Sequence, residues 1–287
     1  MLPAPSLKTS LMPAALAALH WHWQELAALM GIGGLAGFSA GLLGIGGGLV
    51  VVPGLLLLLK SHGYPAHVVP LLAAGTSLTL MVFTAAGSAL SHLRHGTVCL
   101  PVLRQLLPWV VVSELVGILL ATMTEAPILE TLFGLVIVVL ALDLLRRSVQ
   151  AAPVVPPTVT PSMALNIAVG SALGLKSGLF GLGGGALAIP YFNWLGLPPR
   201  HVVGTTALLT WPVALVGALA YGLSPLPVDQ HMTGVVGSVQ WLGVMAMAPT
   251  TLLMAPLGAR LCQAVSQDRL RQVFSLFLLV AGVRILL

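Results

Sequence analysis

The stretch that decides the fold is Gly41-Leu-Leu-Gly-Ile-Gly-Gly-Gly-Leu-Val-Val-Val-Pro53, which places three consecutive glycines inside an apolar segment. Consecutive glycines interrupt a helix because each costs about 1 kcal/mol relative to alanine. The apolar segment after them runs about 14 residues to Leu59, or roughly 21 Å of helix, which is shorter than the ~30 Å hydrocarbon core of a bilayer. We therefore expect the turn to lie within a membrane.

The same stretch recurs 137 positions later as Gly178-Leu-Phe-Gly-Leu-Gly-Gly-Gly-Ala-Leu-Ala-Ile-Pro190, with seven of 13 positions identical. Further pairs follow in the same order along the chain. Gly33 and Gly37 map onto Gly170 and Gly174, and Gly75-Thr76-Ser77 corresponds to Gly204-Thr205-Thr206. The sequence therefore predicts two copies of one structural unit.

Composition excludes most classes of soluble protein. Of 287 residues, 57% are hydrophobic and only 7% are charged, whereas an ordinary soluble domain carries about 25% charged residues. So few charges exclude a soluble enzyme, a nucleic-acid-binding protein and a disordered chain, and they favour a multi-pass membrane protein. The two cysteines, Cys99 and Cys262, are isolated and lack metal-ligand spacing, so we expect no metal and no cofactor.

The hydrophobic segments predict an all-α integral membrane protein with eight to ten spans. The chain divides into an N-terminal tail (1–24), a first transmembrane repeat (25–150), a Pro-rich linker (151–162) and a second transmembrane repeat (163–287). Each repeat has five segments, with a Gly-rich broken or re-entrant hairpin near its start. The ten segments lie at about 25–43, 46–59, 68–91, 100–123, 127–147, 163–181, 184–197, 201–222, 233–263 and 267–287.

An odd number of segments in each repeat predicts that the second copy enters the membrane from the other side, as in many secondary transporters. The distribution of basic residues supports this count. With ten passes, three basic residues, Lys8, Lys60 and Arg284, fall on one side, and eight fall on the other: Arg94, Arg104, Arg146, Arg147, Arg200, Arg260, Arg269 and Arg271. The positive-inside rule then places both termini outside the cytoplasmic membrane.

The Gly-rich turns and two hydroxyl motifs are the candidate substrate-binding residues. Backbone N–H groups at a helix N-terminus attract an anion, and hydroxyl groups bind one without a fixed counter-charge. Two simpler roles remain open: a tight hairpin that binds nothing, and hydroxyls that bond to their own helix. The candidate residues are Gly46, Gly47, Gly48, Thr76, Ser77, Gly183, Gly184, Gly185, Thr205 and Thr206.

Two charged residues fall deep in predicted spans. Lys176 replaces Ser39 of the first copy, and an intramembrane charge indicates function by default. We expect it to attract the anion; the alternative is that its chain extends to the nearer interface. Glu114 is the candidate for proton coupling, and its alternative role is a neutral hydrogen-bonded contact between two helices.

The doubled motifs resemble those of the TauE/SafE sulfite-exporter family. The residues that carry the resemblance are Gly41–Gly48 with Pro53, Gly75–Ser77, Gly178–Gly185 with Pro190, and Gly204–Thr206. The resemblance covers roughly residues 25–287. It implies an inner-membrane protein that exports small sulfur-containing anions such as sulfite, sulfoacetate or related organosulfonates. The second copy departs from the pattern because it reads Gly-Thr-Thr.

These observations together predict a secondary transporter that exports a small sulfur-containing anion by alternating access. A Walker-type nucleotide-binding loop is absent from the sequence. Three alternatives remain: a passive anion channel, a structural subunit of a larger complex, and a membrane-embedded enzyme. The expected partners are the anion and membrane lipid, without nucleic acid, and a homodimer is compatible with the sequence.

Overall fold

The computed structural model describes residues 23–43, 46–149, 161–224, 226, 234–264 and 267–287. Within these ranges the chain forms ten α-helices and one short β-hairpin. The elements are α1 (Trp23–Leu43), α2 (Gly48–Ser61), α3 (Val69–Arg94), α4 (Leu100–Met123), α5 (Ala126–Val149), α6 (Met163–Phe180), α7 (Gly185–Trp194), α8 (Pro199–Leu223), β1 (Val235–Val236), β2 (Val239–Gln240), α9 (Trp241–Ala264) and α10 (Gln267–Leu286).

The lengths of the helices identify a multi-pass membrane protein. Seven helices in the described part of the chain are long and apolar enough to cross a membrane: α1, α3, α4, α5, α6, α8 and α9. The helices that follow the two Gly-rich turns are shorter, with 14 residues in α2 and 10 in α7. The prediction of an all-α membrane protein is confirmed, and the short helices are those expected after the glycines.

One segment differs from its predicted form at its start. Residues 233–263 read as a continuous apolar stretch, but a two-stranded antiparallel hairpin precedes the helix, with Val235 opposite Gln240 and Val236 opposite Val239. Gly234 and Gly237 adopt positive φ angles of 75° and 57°, a conformation that glycine tolerates and a helix excludes. The segment therefore becomes helical only at Trp241.

Close helix pairs build the core, and two of them show how glycine shortens the distance between helices. A Cβ atom on Gly37 of α1 would lie 2.2 Å from the Thr251 carbonyl oxygen of α9. Similarly, a Cβ atom on Gly174 of α6 would lie 2.1 Å from the Val110 carbonyl oxygen of α4. Because glycine has no side chain, the helix backbones approach closely there, as at small-residue interfaces in membranes. The other main pairs are α3 with α8 and α5 with α10.

The first half of α3 lies at the centre of the molecule. Every residue from Val69 to Met81 is buried, whereas most helices expose one apolar face, as lipid contact requires. This half of α3 contains the Gly75-Thr76-Ser77 motif. The motif is therefore buried inside the protein, away from the surrounding lipid.

Substitution of Gly37 by alanine should destabilise the protein. The added methyl group meets the backbone of α9, which has no side-chain freedom to move aside, so we expect a loss of about 1–3 kcal/mol, as for other overpacked sites. Gly31→Ala on the same helix is the matched control, because a Cβ atom there meets nothing within 4 Å. Thermal unfolding in detergent measures both, and equal melting temperatures for the two variants would contradict the contact.

Candidate functional site

The two Gly-rich turns meet inside the protein. Gly46, Gly181 and Gly183 have positive φ angles of 77°, 67° and 64°, which reverse the chain between α1 and α2 and between α6 and α7. A Cβ atom on Gly48 would lie 2.9 Å from the Gly181 carbonyl oxygen and 3.1 Å from the Leu182 Cα atom. Glycine is therefore needed both for the backbone angles and for the contact between the turns.

Both short helices begin at these turns without a side-chain cap. The residues that precede α2 and α7 are Gly47 and Gly184, which have no side chain to accept a hydrogen bond from the first turn. The first N–H groups of a helix have no partner within the helix, and the helix dipole adds a partial positive charge there. Each of these ends therefore carries a partial positive charge, and the start of α2 contacts the turn that leads into α7.

Thr76 and Thr205 hold neighbouring loops in place. The hydroxyl oxygen of Thr76 accepts a hydrogen bond from the Gln240 N–H at 2.9 Å, and that of Thr205 accepts one from the Cys99 N–H at 2.9 Å. Each donor ends the loop that leads into α9 or α4. Both hydroxyl oxygens therefore accept hydrogen bonds from other elements of the protein. This role differs from a hydrogen bond to the residue's own helix.

The loop before α9 has a second anchor. Gln240 donates a further hydrogen bond from Nε2 to the Tyr64 hydroxyl oxygen at 2.9 Å. Burial raises the pKa of the Tyr64 hydroxyl, so the group stays protonated in neutral solution. The contact joins this loop to the segment between α2 and α3.

The second hydroxyls of the two motifs, on Ser77 and Thr206, have different surroundings. Ser77 donates a hydrogen bond to the Gly181 carbonyl oxygen at 2.8 Å, so α3 fixes the second Gly-rich turn. Thr206 is 1% exposed, and its hydroxyl has no hydrogen-bond partner among the described residues. A buried hydroxyl without a partner costs free energy, so Thr206 stays a candidate binding residue.

Glu114 of α4 lies in a polar contact between three helices. Its Oε1 atom accepts a hydrogen bond from the Ser177 hydroxyl of α6 at 2.9 Å, and a Cβ atom on Gly217 of α8 would lie 2.9 Å from the same oxygen. The Tyr221 hydroxyl donates to the Gly178 carbonyl oxygen at 2.6 Å. The other carboxylate oxygen, Oε2, is buried without a hydrogen-bond partner in the described part of the chain.

Lys176 is buried beside this contact. It precedes Ser177 in α6, its side chain is enclosed, and its Nζ atom has no hydrogen-bond partner among the described residues. It interacts electrostatically with Glu114 without forming an ion pair within 4 Å. Extension to the membrane interface, the alternative considered from the sequence, does not fit a fully enclosed side chain.

Sequence reasoning missed two residues at the centre. The sequence motifs described above single out neither Tyr221 nor Met81. The spacing that pairs Gly75 with Gly204 also pairs Met81 with Thr210 and His92 with Tyr221. Extending that alignment by a few residues would have singled out both positions.

Replacement of Thr76 or Thr205 by valine should destabilise the protein. Valine keeps the shape but leaves the Gln240 or Cys99 N–H group unsatisfied, which costs about 1–3 kcal/mol. Thr79→Val is the matched control, because that buried hydroxyl donates only to the Gly75 carbonyl of its own helix. Thermal unfolding should show a larger loss for Thr76 and Thr205 than for Thr79; the reverse order would contradict the loop-holding role.

Known proteins are similar to this chain over most of its length. The family described as "Sulfite exporter TauE/SafE" matches residues 29–285. A "Probable membrane transporter protein" of Haemophilus influenzae is 29% identical over 261 residues, which cover 89% of this chain and 96% of that protein. The "Probable membrane transporter protein YunE" of Bacillus subtilis is 25% identical over 278 residues, covering 90% and 96% of the two chains.

A third relative comes from an archaeon. The "Probable membrane transporter protein MJ0441" of Methanocaldococcus jannaschii is 25% identical over 270 residues, which cover 89% of this chain and 93% of that protein. No solved structure matches the chain.

Proposed function

The chain belongs to the sulfite exporter TauE/SafE family of membrane transporters, and on this premise we propose that it exports a small sulfur-containing anion by alternating access. The protein is a transporter and not an enzyme. The observation that carries the proposal is the contact, deep in the protein, between the uncapped start of α2 and the Gly-rich turn that leads into the uncapped start of α7. Sulfite, sulfoacetate and related organosulfonates are the proposed substrates.

An inverted repeat is part of this proposal, and the helix contacts support it. Adding 137 to Gly37 gives Gly174, and adding 141 to Val110 gives Thr251. Gly37 packs on Thr251 while Gly174 packs on Val110. In the contact between α1 and α9 the glycine belongs to the first repeat and its partner to the second. In the contact between α6 and α4 the corresponding residues belong to the opposite repeats, as a two-fold relation requires.

The loop hydrogen bonds repeat in the same way. Thr205 lies 129 positions after Thr76, and Gln240 lies 141 positions after Cys99. Thr76 accepts from Gln240, and Thr205 accepts from Cys99. Each repeat therefore holds a loop of the other, which supports repeats 25–150 and 163–287 joined by the linker 151–162.

The two hairpins open toward opposite ends of the molecule. His62 after α2 contacts Glu25 near the start of α1, and Lys60 contacts Glu130 near the start of α5. The start of α6 instead contacts the start of α4, where Asn166 donates to Gln105 at 2.7 Å. Because α4 is 24 residues long, or roughly 36 Å, its start lies opposite the start of α5.

We propose ten membrane segments on this basis, with both termini outside the cytoplasmic membrane. The short helices α2 and α7 then form re-entrant arms rather than full spans. Backbone that leaves the helical form at membrane depth must be enclosed by protein, and Gly48 and Leu182 are buried. Rocking of one repeat against the other would expose the turns to each side in alternation.

The proposed anion site combines dipoles and one charge. It consists of the N–H groups of Gly46–Gly48 and Gly183–Gly185, the Thr206 hydroxyl and Lys176, with Thr76, Ser77 and Thr205 fixing the surrounding backbone. Dipoles bind an anion weakly enough for release. We also propose that the protein forms a homodimer.

Lys176→Met should weaken anion binding at least tenfold without destabilising the fold. Methionine has a similar length, and removing a buried charge without a partner relieves its desolvation cost. Sulfite should raise the free energy of unfolding by RT ln(1 + [L]/Kd). The Kd derived from this shift should be at least tenfold higher for the variant than for the wild type. Lys60→Met is the matched control, because that lysine is exposed and pairs with Glu130. An unchanged sulfite response in Lys176→Met would remove the lysine from the site.

Glu114→Gln should separate anion movement from proton movement. The charged and titratable groups that face Glu114 are Lys176 of α6 and Tyr221 of α8, and glutamine keeps the hydrogen bond from Ser177 while it cannot exchange a proton. In proteoliposomes, sulfite efflux should persist while the accompanying pH change, read with an internal dye, disappears.

Glu130→Gln is the control for this measurement, since that carboxylate pairs with Lys60 near the start of α5. A wild-type protein that moves sulfite without any proton would contradict the coupling role of Glu114. A turnover rate near that of free diffusion would indicate a channel in place of a carrier.

A further inference from the structure

The Met81 side chain fills the space between the two Gly-rich turns. Its sulfur would lie 3.7 Å from a Cβ atom on Gly46 and 2.8 Å from one on Gly183, and its Cε methyl would lie 2.6 Å from one on Gly48. The residue is 1% exposed. One side chain from α3 thus contacts the starts of both short helices, where the anion is proposed to bind.

The pseudo-equivalent position carries a smaller residue. Met81 and Thr210 each stand six residues after the glycine of the hydroxyl motif, in α3 and α8. The Thr210 hydroxyl donates to the Thr206 carbonyl oxygen of its own helix at 2.9 Å, and its methyl would lie 3.4 Å from a Cβ atom on Gly183. A long flexible side chain from α3 and a short side chain from α8 therefore both border Gly183, and Met81 also borders the first turn.

The other walls are held by backbone. A Cβ atom on Gly47 would lie 3.2 Å from the Ala36 methyl, and one on Gly48 would lie 2.9 Å from the Gly181 carbonyl oxygen, which Ser77 fixes. Helix backbone moves only with the whole helix. Methionine is unbranched with three rotatable bonds and adapts to irregular spaces, so Met81 is the group that yields when a ligand enters.

We infer that Met81 is the specificity-determining residue of this transporter, because the room left beside its side chain sets the size of the anion that reaches both turns. The inference rests on the function proposed above and narrows its substrate class. An ion of the size of sulfite fits when the thioether swings aside. The carboxymethyl tail of sulfoacetate collides with it, so inorganic sulfur oxyanions are the preferred substrates.

Shortening Met81 should shift selectivity toward larger sulfonates. Purified protein in proteoliposomes is loaded with equal concentrations of sulfite and sulfoacetate, and efflux of both is followed over time. The ratio of sulfoacetate to sulfite efflux should rise in the order Met81→Leu, Met81→Val, Met81→Ala, with at least a tenfold increase for alanine. The graded series keeps the test informative if the largest truncation does not fold.

Met247→Ala is the matched control. Met247 is fully buried in α9, and its Cε methyl would lie 3.8 Å from a Cβ atom on Gly243 of the same helix, so its truncation opens a similar cavity away from the turns. Its efflux ratio should equal that of the wild type. A wild-type protein that transports neither anion under any gradient contradicts the proposed function itself. A wild type that transports sulfite, with equal ratios in the Met81 variants and Met247→Ala, overturns the role of Met81 alone.

Discussion

The close approach of helix backbones at glycine is the constraint on which the rest of the structure depends. Gly37 against Thr251 and Gly174 against Val110 bring α1 to α9 and α6 to α4 at distances that no side chain permits. In a membrane the hydrophobic effect does not drive helices together, so packing of this kind has to hold them. Because each pair joins one helix of the first copy to one of the second, the contacts also bring the two Gly-rich turns together at the centre.

The centre is polar in an unusual way for a chain with so few charges. Backbone N–H groups at two helix starts, several hydroxyls, one carboxylate and one ammonium group are enclosed there, while most exposed side chains are apolar. Some of these polar groups have protein partners, such as Thr76 with Gln240 and Ser77 with Gly181. Others, such as Thr206 and Lys176, have none in the described chain. Unpaired buried polar groups are costly, and a bound anion would offset that cost.

Much of this organisation was predictable from local patterns. The ten apolar segments each contain a helix. The Gly-rich turns separate the first segment of each repeat from the second, because a run of three glycines disfavours a continuous helix. Membership of the TauE/SafE family, suggested by the doubled motifs, is confirmed. The hairpin before α9 was not predicted because its valines are as apolar as those of a membrane helix. The two turn residues, Gly237 and Ser238, lower the mean hydropathy of the segment too little to mark a break.

The sequence alone determined that the chain is a helical membrane protein, because hydrophobicity acts over short distances along the chain, and the resemblance of its doubled glycine motifs indicated a family of transporters. Only the tertiary structure decided what each polar residue contacts. Thr76 and Thr205 were expected at the anion, yet their oxygens accept hydrogen bonds from loops 164 and 106 residues away. Lys176 and Glu114 were separate expectations, and packing of α4 on α6 places them in one electrostatic environment. The partner of a polar residue depends on which helices pack together, and the packing of helices depends on how their whole surfaces fit.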